Sequence, residues 1–164
     1  MKLAILVLED EPPVRTALAR DLAEFAGTMR IEMAEDVNDA KEVIDEVTAE
    51  GDLVALILAD HRLPGTTGVD FLIESMSDPR VSGAKHVLVT GQAGHAETIR
   101  AINQGHITHY VAKPWDAEEL RGIVRSELTD YVLENEIPAL ELMSALDSER
   151  VLEALGHGVR GLIT

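Results

Sequence analysis

The eight residues Leu53-Val54-Ala55-Leu56-Ile57-Leu58-Ala59-Asp60 are the most apolar run in the sequence, and the run ends in a single carboxylate. A short apolar run that stops abruptly at a charge is typical of a strand buried on both faces, as in parallel sheets. We therefore predict that residues 53–59 form the central strand of a parallel sheet, with Asp60 at its carboxyl end.

Three other apolar runs also end in polar residues. They are residues 3–8, followed by Glu9-Asp10-Glu11; residues 86–89, followed by Thr90; and residues 110–112, followed by Lys113-Pro114. Because ligands bind at the edge where the carboxyl ends of parallel strands lie, these polar residues are predicted to meet Asp60 there. Such a set suits a Mg²⁺-assisted transfer of phosphate to a carboxylate.

Helical patterns alternate with the strand patterns along the chain. Strands are predicted at residues 3–8, 29–34, 53–59, 85–90 and 108–112. The helices between and after them are predicted from Pro12-Pro13 to Gly27, over residues 36–50, after Gly68, over residues 96–104, and from an Asp116 cap. Five such units imply an α/β fold, a flavodoxin-like (βα)5 doubly wound parallel sheet with strand order 2-1-3-4-5.

The pattern changes after about residue 129, so the chain is predicted to divide into residues 1–128 and a helical extension, residues 129–164. Apolar residues continue at helical spacing to Leu146, with Pro138 as a break or kink, and Asp147 is predicted to cap a last helix. An extension this short is not an independent domain. We expect it to pack on the core or on a second copy, which favours a homodimer, or to link to an absent output domain.

Composition excludes several classes of protein. The chain has 164 residues and a formal net charge of −16, and a field of that sign repels phosphate backbones, so direct binding of nucleic acid is not expected. The absence of cysteine excludes disulfides, thiol catalysis and cysteine-ligated zinc. No apolar stretch approaches the roughly 20 residues of a spanning helix, so we expect no membrane partner and a cytoplasmic location.

Each polar residue at the predicted edge has a chemical use. A carboxylate such as Asp60 can attack a phosphoryl group and form an aspartyl-phosphate. Glu9 and Asp10 would repel Asp60 unless a cation lies among them, and Mg²⁺ is the hard ion that prefers carboxylates, water and phosphate oxygens. Lys113 offers a positive charge and Thr90 a hydroxyl to the phosphate oxygens.

These residues resemble the receiver domain of two-component response regulators over about residues 1–130. The motifs that carry the resemblance are Leu8-Glu9-Asp10-Glu11-Pro12, Asp60 with Leu63-Pro64-Gly65 and Gly68, Val89-Thr90-Gly91, and Tyr110-Val111-Ala112-Lys113-Pro114-Trp115. Glu9 departs from the family pattern, which has aspartate more often at this position.

The resemblance implies that Asp60 accepts phosphate from a phosphohistidine on a sensor histidine kinase or phosphotransfer protein. It also implies that Asp10, Asp60 and the backbone carbonyl of Arg62 bind Mg²⁺, or Mn²⁺ in its place, with Glu9 contributing directly or through water. Apart from this self-phosphorylation and dephosphorylation, no enzymatic activity is expected.

The same resemblance implies a switch. Lys113 would bridge the phosphoryl group, Thr90 would move toward it, and Tyr110 would swing inward, which reshapes the surface of helix four, strand five and helix five. Arg62 and Gln92 stand at positions that set the lifetime of the phosphate in this family.

Two other functions stay open at this point. One is an aspartate-nucleophile, Mg²⁺-dependent phosphohydrolase of the haloacid-dehalogenase type, although such enzymes carry a second aspartate two residues after the nucleophile and this chain has Arg62 there. The other is an interaction or dimerisation protein with a silent phosphorylation site, which the extension favours.

Overall fold

A parallel five-stranded sheet forms the centre of the computed structural model, which describes residues 1–91, 96–104 and 106–157. Its strands are β1 (Leu3–Leu8), β2 (Arg30–Ala34), β3 (Leu53–Asp60), β4 (Lys85–Thr90) and β5 (His109–Ala112). They pair in parallel in the order β2-β1-β3-β4-β5, which confirms the predicted order. The apolar run that includes Asp60 is therefore the middle strand.

Helices cover both faces of the sheet. Within the described residues they are α1 (Pro12–Asp21), α2 (Val37–Ala49), α3 (Gly68–Ser75), α4 (Ala96–Asn103), α5 (Ala117–Glu134) and α6 (Ser148–Gly156). One buried apolar cluster joins the sheet to α1, α5 and α6, and a second joins it to α2, α3 and α4. This arrangement confirms the predicted doubly wound fold with C-terminal helices.

Aspartate side chains begin three of these helices. Asp36, Asp116 and Asp147 each accept a hydrogen bond from the backbone N–H three residues later, at 2.8, 3.0 and 3.3 Å. Such a cap satisfies one of the unpaired N–H groups of the first turn and stabilises a helix by about 1 kcal/mol. The predictions that Asp116 and Asp147 are caps are confirmed.

The first helix is shorter than predicted. It ends at Asp21 and not at Gly27, because Leu22 leaves the helical region at φ −93° and ψ 0°. A 3-10 turn, Ala23–Phe25, follows, and it turns the chain toward β2. Leu22 and Phe25 are both fully buried by this turn, so the apolar spacing that suggested a longer helix has a different cause.

The helical pattern from residue 129 to Leu146 is interrupted around Pro138, where a break or kink was predicted. Helix α5 passes through the predicted boundary between residues 128 and 129 and ends at Glu134. Glu136 then has a positive φ of 50°, and a 3-10 helix, Leu140–Ala145, replaces a continuous α-helix. Pro138 lies in this break, where its missing N–H and fixed φ oppose a helix.

The extension packs against the core of its own chain. Val151 of α6 and Leu146 are buried in the same apolar cluster as Phe25. Arg125 of α5 lies 5.4 Å from the centre of the Phe25 ring and donates a 2.8 Å hydrogen bond to the Ser144 carbonyl. The extension thus forms a continuous layer with α1 and α5. None of the helices described in the chain combines the length and the apolar character needed to cross a bilayer.

Candidate functional site

The carboxyl ends of the sheet strands bring polar side chains to one edge. Asp60 is the last residue of β3 and Thr90 the last of β4, and both side chains are buried, with 5% and 1% of their surface exposed. Glu9 directly follows β1 and Lys113 directly follows β5. Because these strands are neighbours in a parallel sheet, four separate parts of the sequence meet at one point.

Three carboxylates form a compact cluster at this edge. Glu9, Asp10 and Asp60 each place one carboxylate oxygen within 4.8 Å of the others. Glu9 is fully buried, and its Oε2 accepts a 3.2 Å hydrogen bond from the Glu11 N–H. Its own N–H donates to the Ala34 carbonyl of the β2 end at 3.0 Å, which fixes the backbone of the acidic turn.

Lys113 lies between two of these carboxylates. Its Nζ is 2.8 Å from Asp60 Oδ1 and 3.1 Å from Glu9 Oε1. Its backbone N–H donates to the Thr90 carbonyl at 2.9 Å, and the peptide bond that joins it to Pro114 is cis. Thr90 therefore holds the Lys113 backbone, and two acids hold its ammonium.

Burial and contact shift the ionisation of this cluster. Burial raises the pKa of Glu9, because the loss of hydration outweighs the hydrogen bonds from the Glu11 N–H and Lys113. Burial acts to lower the pKa of Lys113, but hydrogen bonds to Asp60 and Glu9 outweigh it, so this pKa is raised. Lys113 is consequently a cation at neutral pH.

An open cleft of about 390 Å³ leads to the cluster. Its lining residues are Glu11, Asp60, His61, Arg62, Thr90, Gly91 and Lys113. Arg62 begins a short antiparallel hairpin, in which Arg62–Leu63 pairs with Thr66–Thr67, and its side chain is exposed. Gln92, the other predicted lifetime residue, lies outside the described residues.

Gly68 allows α3 to begin directly against the end of β3. A Cβ atom at this position would lie 2.2 Å from the Asp60 carbonyl oxygen and 2.9 Å from Leu88 Cδ1. The Gly68 N–H also donates to the His61 carbonyl at 2.8 Å. Only glycine permits this approach, which sets the backbone on which the Asp60 side chain is mounted.

The donor set fits a small divalent cation. In the part of the chain that the structure describes, Glu9, Asp10 and Asp60 are the one cluster of three potential protein ligands close enough to share an ion. All are carboxylates, which hard cations such as Mg²⁺ prefer, and their mutual repulsion is only partly offset by Lys113. The residues therefore suit Mg²⁺ better than a soft metal.

Tyr110, the predicted switch residue, lies on β5, the edge strand of the sheet. It is 37% exposed, and its ring centre is 6.2 Å from that of His109. Its carbonyl is 2.8 Å from His109 Nδ1. The side chain thus stands at the surface of the edge strand.

Sequence reasoning missed one contact next to the site. The indole Nε1 of Trp115 donates a 2.7 Å hydrogen bond to Oδ2 of Asp21, a buried carboxylate at the end of α1. The available signal was an acid between Leu18 and Leu22, two apolar residues of the predicted first helix. Its partner lies 94 residues away in sequence, so local spacing does not reveal the pair.

The chain is similar in sequence to two transcriptional regulatory proteins. The hydrogenase transcriptional regulatory protein HoxA of Cupriavidus necator is 28% identical over 138 residues, which cover 84% of this chain and 27% of HoxA. The phosphate regulon transcriptional regulatory protein PhoB of Escherichia coli is 30% identical over 116 residues, 71% of this chain and 47% of PhoB. The chain thus spans about a quarter to a half of the length of these relatives.

A solved structure gives the same picture of the fold. The response regulator TrrA of Thermotoga maritima, in complex with Mg²⁺ and BeF, is 25% identical with a TM-score of 0.59, over 77% of this chain and 99% of TrrA. The family described as the response regulator receiver domain matches residues 5–125. That match includes the three clustered carboxylates and Lys113. The chain therefore belongs to the response regulator receiver domain family.

Proposed function

We propose that this chain is the phosphoacceptor module of a two-component phosphorelay and that Asp60 receives the phosphoryl group. The observation that carries the proposal is the position of the Asp60 carboxylate. It is 5% exposed, lines the cleft, and lies 2.8 Å from the Lys113 ammonium and within 4.8 Å of two further carboxylates. A nucleophile, a fixed cation and ligands for a metal are thus adjacent.

The proposed transfer makes one bond and breaks one bond. A carboxylate oxygen of Asp60 attacks phosphorus, and the phosphorus–nitrogen bond of a phosphohistidine on a sensor histidine kinase or phosphotransfer protein breaks. The electron pair of the broken bond stays on the imidazole ring, which takes up a proton. The product is an aspartyl-phosphate, and no oxidation or reduction takes place.

Glu9, Asp10, Asp60 and the backbone carbonyl of Arg62 are the proposed ligands of Mg²⁺ or Mn²⁺. The cation supplies charge neutralisation for the phosphoryl group. Glu9 is also held by Lys113 at 3.1 Å, so the chain itself keeps this carboxylate oriented toward the cluster. The TrrA complex with Mg²⁺ and BeF supports this assignment by similarity.

Three further residues have proposed roles around the phosphoryl group. Lys113 contacts a phosphoryl oxygen with its ammonium, and the Thr90 hydroxyl moves to donate to another. Arg62 flanks the cleft and, together with Gln92, sets how long the phosphate survives. The raised pKa of Lys113 keeps it charged throughout the neutral range.

The proposed output surface consists of α4, β5 and α5. Thr90 ends the strand next to β5, and their backbones are joined by the bond from the Lys113 N–H to the Thr90 carbonyl. A shift of Thr90 toward the phosphate opens space into which Tyr110, now 37% exposed, can turn. Ile99 of α4 is 47% exposed and offers apolar area beside this switch.

A groove next to the cleft suits the protein that donates the phosphate. It holds about 330 Å³ and is lined by Pro13, Val14, Ala17, Lys113, Pro114 and Trp115. Its surface is almost entirely apolar, and it adjoins Lys113. A helix of the donor that lies in this groove would bring its phosphohistidine to the mouth of the cleft.

The division of the chain into a receiver domain, residues 1–128, and an extension, residues 129–164, is part of the proposal. The extension would serve as a dimerisation element or as a link to an output domain, in the cytoplasm. Leu140 and Leu152, which are 61% and 59% exposed, are the apolar groups a dimer would bury. Light scattering of the full chain and of a Leu152→Glu variant tests this, and equal monomer masses for both would exclude the dimer.

The decisive experiment on the function labels the protein with acetyl phosphate and Mg²⁺. We expect one phosphoryl group per chain in the wild type and none in Asp60→Asn, whereas Asp70→Asn, an exposed acid on α3, labels normally. Normal labelling of Asp60→Asn would contradict the proposal. Repeated turnover of a small phosphate ester would favour a phosphohydrolase instead. We propose no catalytic activity for the chain beyond its own phosphorylation and dephosphorylation.

A further inference from the structure

A carboxylate occupies an unfavourable position at the end of α1. Asp21 is the last residue of that helix and is 6% exposed, with Leu18 and Leu22 buried beside it. Burial removes the hydration of a carboxylate, and the C-terminal end of a helix carries a partial negative charge that repels it. Both effects destabilise an ionised Asp21, so its contacts must compensate for them.

The contacts of Asp21 point to the loop before α5. Its Oδ2 accepts a 2.7 Å hydrogen bond from Trp115 Nε1, and its Oδ1 is 3.2 Å from Arg20 Nε. Its backbone carbonyl accepts a 3.2 Å bond from Arg121 Nη1 of α5. Burial acts to raise the pKa of Asp21, but the bonds from Trp115 and Arg20 outweigh it and lower this pKa, so the carboxylate is ionised.

That loop, residues 113–116, carries the lysine of the site. Its first residue, Lys113, is tied by its N–H to the Thr90 carbonyl at 2.9 Å, and its last, Asp116, caps α5. The Trp115 side chain ties the part between these ends to α1. The Lys113 ammonium stands at the end of a flexible four-carbon stem, so its position depends on where the backbone is held.

We propose that Asp21 is a positioning residue for phosphoryl transfer to Asp60, and that it acts through Trp115 on the loop that carries Lys113. The inference rests on the proposed function of Asp60. Its basis is the 2.7 Å hydrogen bond between the Trp115 and Asp21 side chains. Trp115 is two residues from Lys113, whose ammonium must lie between Glu9 and Asp60. A misplacement of about 1 Å in such a site reduces a rate by about 100-fold.

Three substitutions in the full chain separate the hydrogen bond from packing. Asp21→Leu removes the acceptor and keeps the branched shape of the side chain, Trp115→Phe removes the donor and keeps an aromatic ring, and Asp21→Asn keeps an acceptor oxygen. We expect the first two to slow labelling by acetyl phosphate about three- to tenfold, which is equivalent to about 0.7–1.4 kcal/mol, the net contribution of a typical hydrogen bond. Asp21→Asn stays within about twofold of the wild type, and the Asp21→Leu/Trp115→Phe double variant is no slower than the slower single one.

Two controls distinguish positioning from a general loss of stability. Val151→Ala truncates a fully buried side chain of α6, far along the chain from the loop, and is expected to lower stability while the labelling rate stays unchanged. In a Lys113→Ala background, Trp115→Phe is expected to cause no further slowing, because Trp115 acts on the reaction only through Lys113. Acetyl phosphate as the donor keeps partner docking out of both measurements.

Hydrogen exchange provides a readout that does not depend on phosphorylation. The Lys113 amide, bonded to the Thr90 carbonyl, is expected to exchange about fivefold faster in Asp21→Leu and Trp115→Phe, while the Asp147 amide, bonded to Thr129 Oγ1 at 2.9 Å, keeps its rate.

Unchanged Lys113 exchange in both variants overturns the proposal, as does equal slowing of labelling by Val151→Ala. If wild-type Asp60 takes no label, the proposed function fails, and the exchange of Lys113 still decides whether Asp21 holds the loop.

Discussion

Replacement of Lys113 by methionine removes the charge that separates two buried acids and leaves the apolar stem of the side chain in place. The Lys113 ammonium is 2.8 Å from Asp60 and 3.1 Å from Glu9, and these acids are 5% and 0% exposed. We expect Lys113→Met to destabilise the protein by about 3 kcal/mol at pH 8 without divalent cations, near the lower end of the cost of breaking a buried ion pair.

The repulsion between the acids gives the same magnitude independently. Two unit charges no more than 4.8 Å apart repel by at least about 3.5 kcal/mol at an effective dielectric constant of about 20. The cleft is open to solvent beside Asp60, so the smaller figure is the expected one. For a chain of this length, about 3 kcal/mol corresponds to a fall in melting temperature of about 9 °C.

Urea unfolding followed by circular dichroism measures this loss, once with a chelator and once with saturating Mg²⁺. A cation among the carboxylates replaces the missing charge, so we expect Mg²⁺ to recover more than half of the lost free energy of unfolding. The matched control is Lys41→Met, which breaks an exposed 3.0 Å pair with Glu74 and is expected to cost less than about 1 kcal/mol.

Two results would refute this reasoning. The first is a Lys113→Met variant that is no less stable than Lys41→Met in the presence of chelator. The second is a deficit that Mg²⁺ leaves unchanged, because the lost stability would then come from packing of the lysine stem and not from charge.

Three further predictions concern the rest of the fold. Gly68→Ala forces a methyl group to 2.2 Å from the Asp60 carbonyl oxygen, and we expect a loss of about 2 kcal/mol with slower acetyl phosphate labelling. Burial lowers the pKa of His86 to about 4, so only the unfolded chain takes up this proton as the pH falls below about 6.5. The free energy of unfolding of the wild type is therefore expected to fall toward pH 4 by up to about 3 kcal/mol more than that of His86→Leu. Urea titrations of both proteins at each pH measure this difference. Arg125→Ala removes the contacts to Phe25 and Ser144, and faster limited proteolysis between residues 135 and 147 is expected, with Lys2→Ala as an unaffected control.

The strands β1, β3 and β4 were predictable because each contains a short apolar run with a sharp polar end. The predicted limits of β1 and β4 coincide with the observed ones, since buried parallel strands leave no amphipathic ambiguity. Helix ends were less predictable. Leu22 and Phe25 have helical spacing although they lie at the start and the end of a 3-10 turn. Apolar periodicity indicates which side chains reach the core, but it does not indicate the backbone conformation that places them there.

The same limit applies to the extension. Apolar residues on both sides of Glu136 contact one core, yet a positive φ at that residue separates α5 from the 3-10 helix. Glutamate carries no signal for such a backbone, whereas glycine or asparagine would have indicated it.

The site was predictable where residues end strands, and unpredictable where they pair across the fold. Asp60, Glu9 and Lys113 follow apolar runs, so topology alone brings them to one edge. The bond between Asp21 and Trp115 depends on how α1 packs against the loop before α5, which the spacing of either residue does not record. The position of Arg62 likewise depends on a hairpin of only two residues in each strand.

The length of α5 has a mechanical consequence. Its 18 residues span about 27 Å, from the loop that carries Lys113 to Glu134. A helix of this kind behaves as a stiff lever, and a tilt of about 5° at one end sweeps the other through about 2 Å. An adjustment at the mouth of the cleft that tilted α5 would therefore displace the side chains near Glu134, at the far end of the helix.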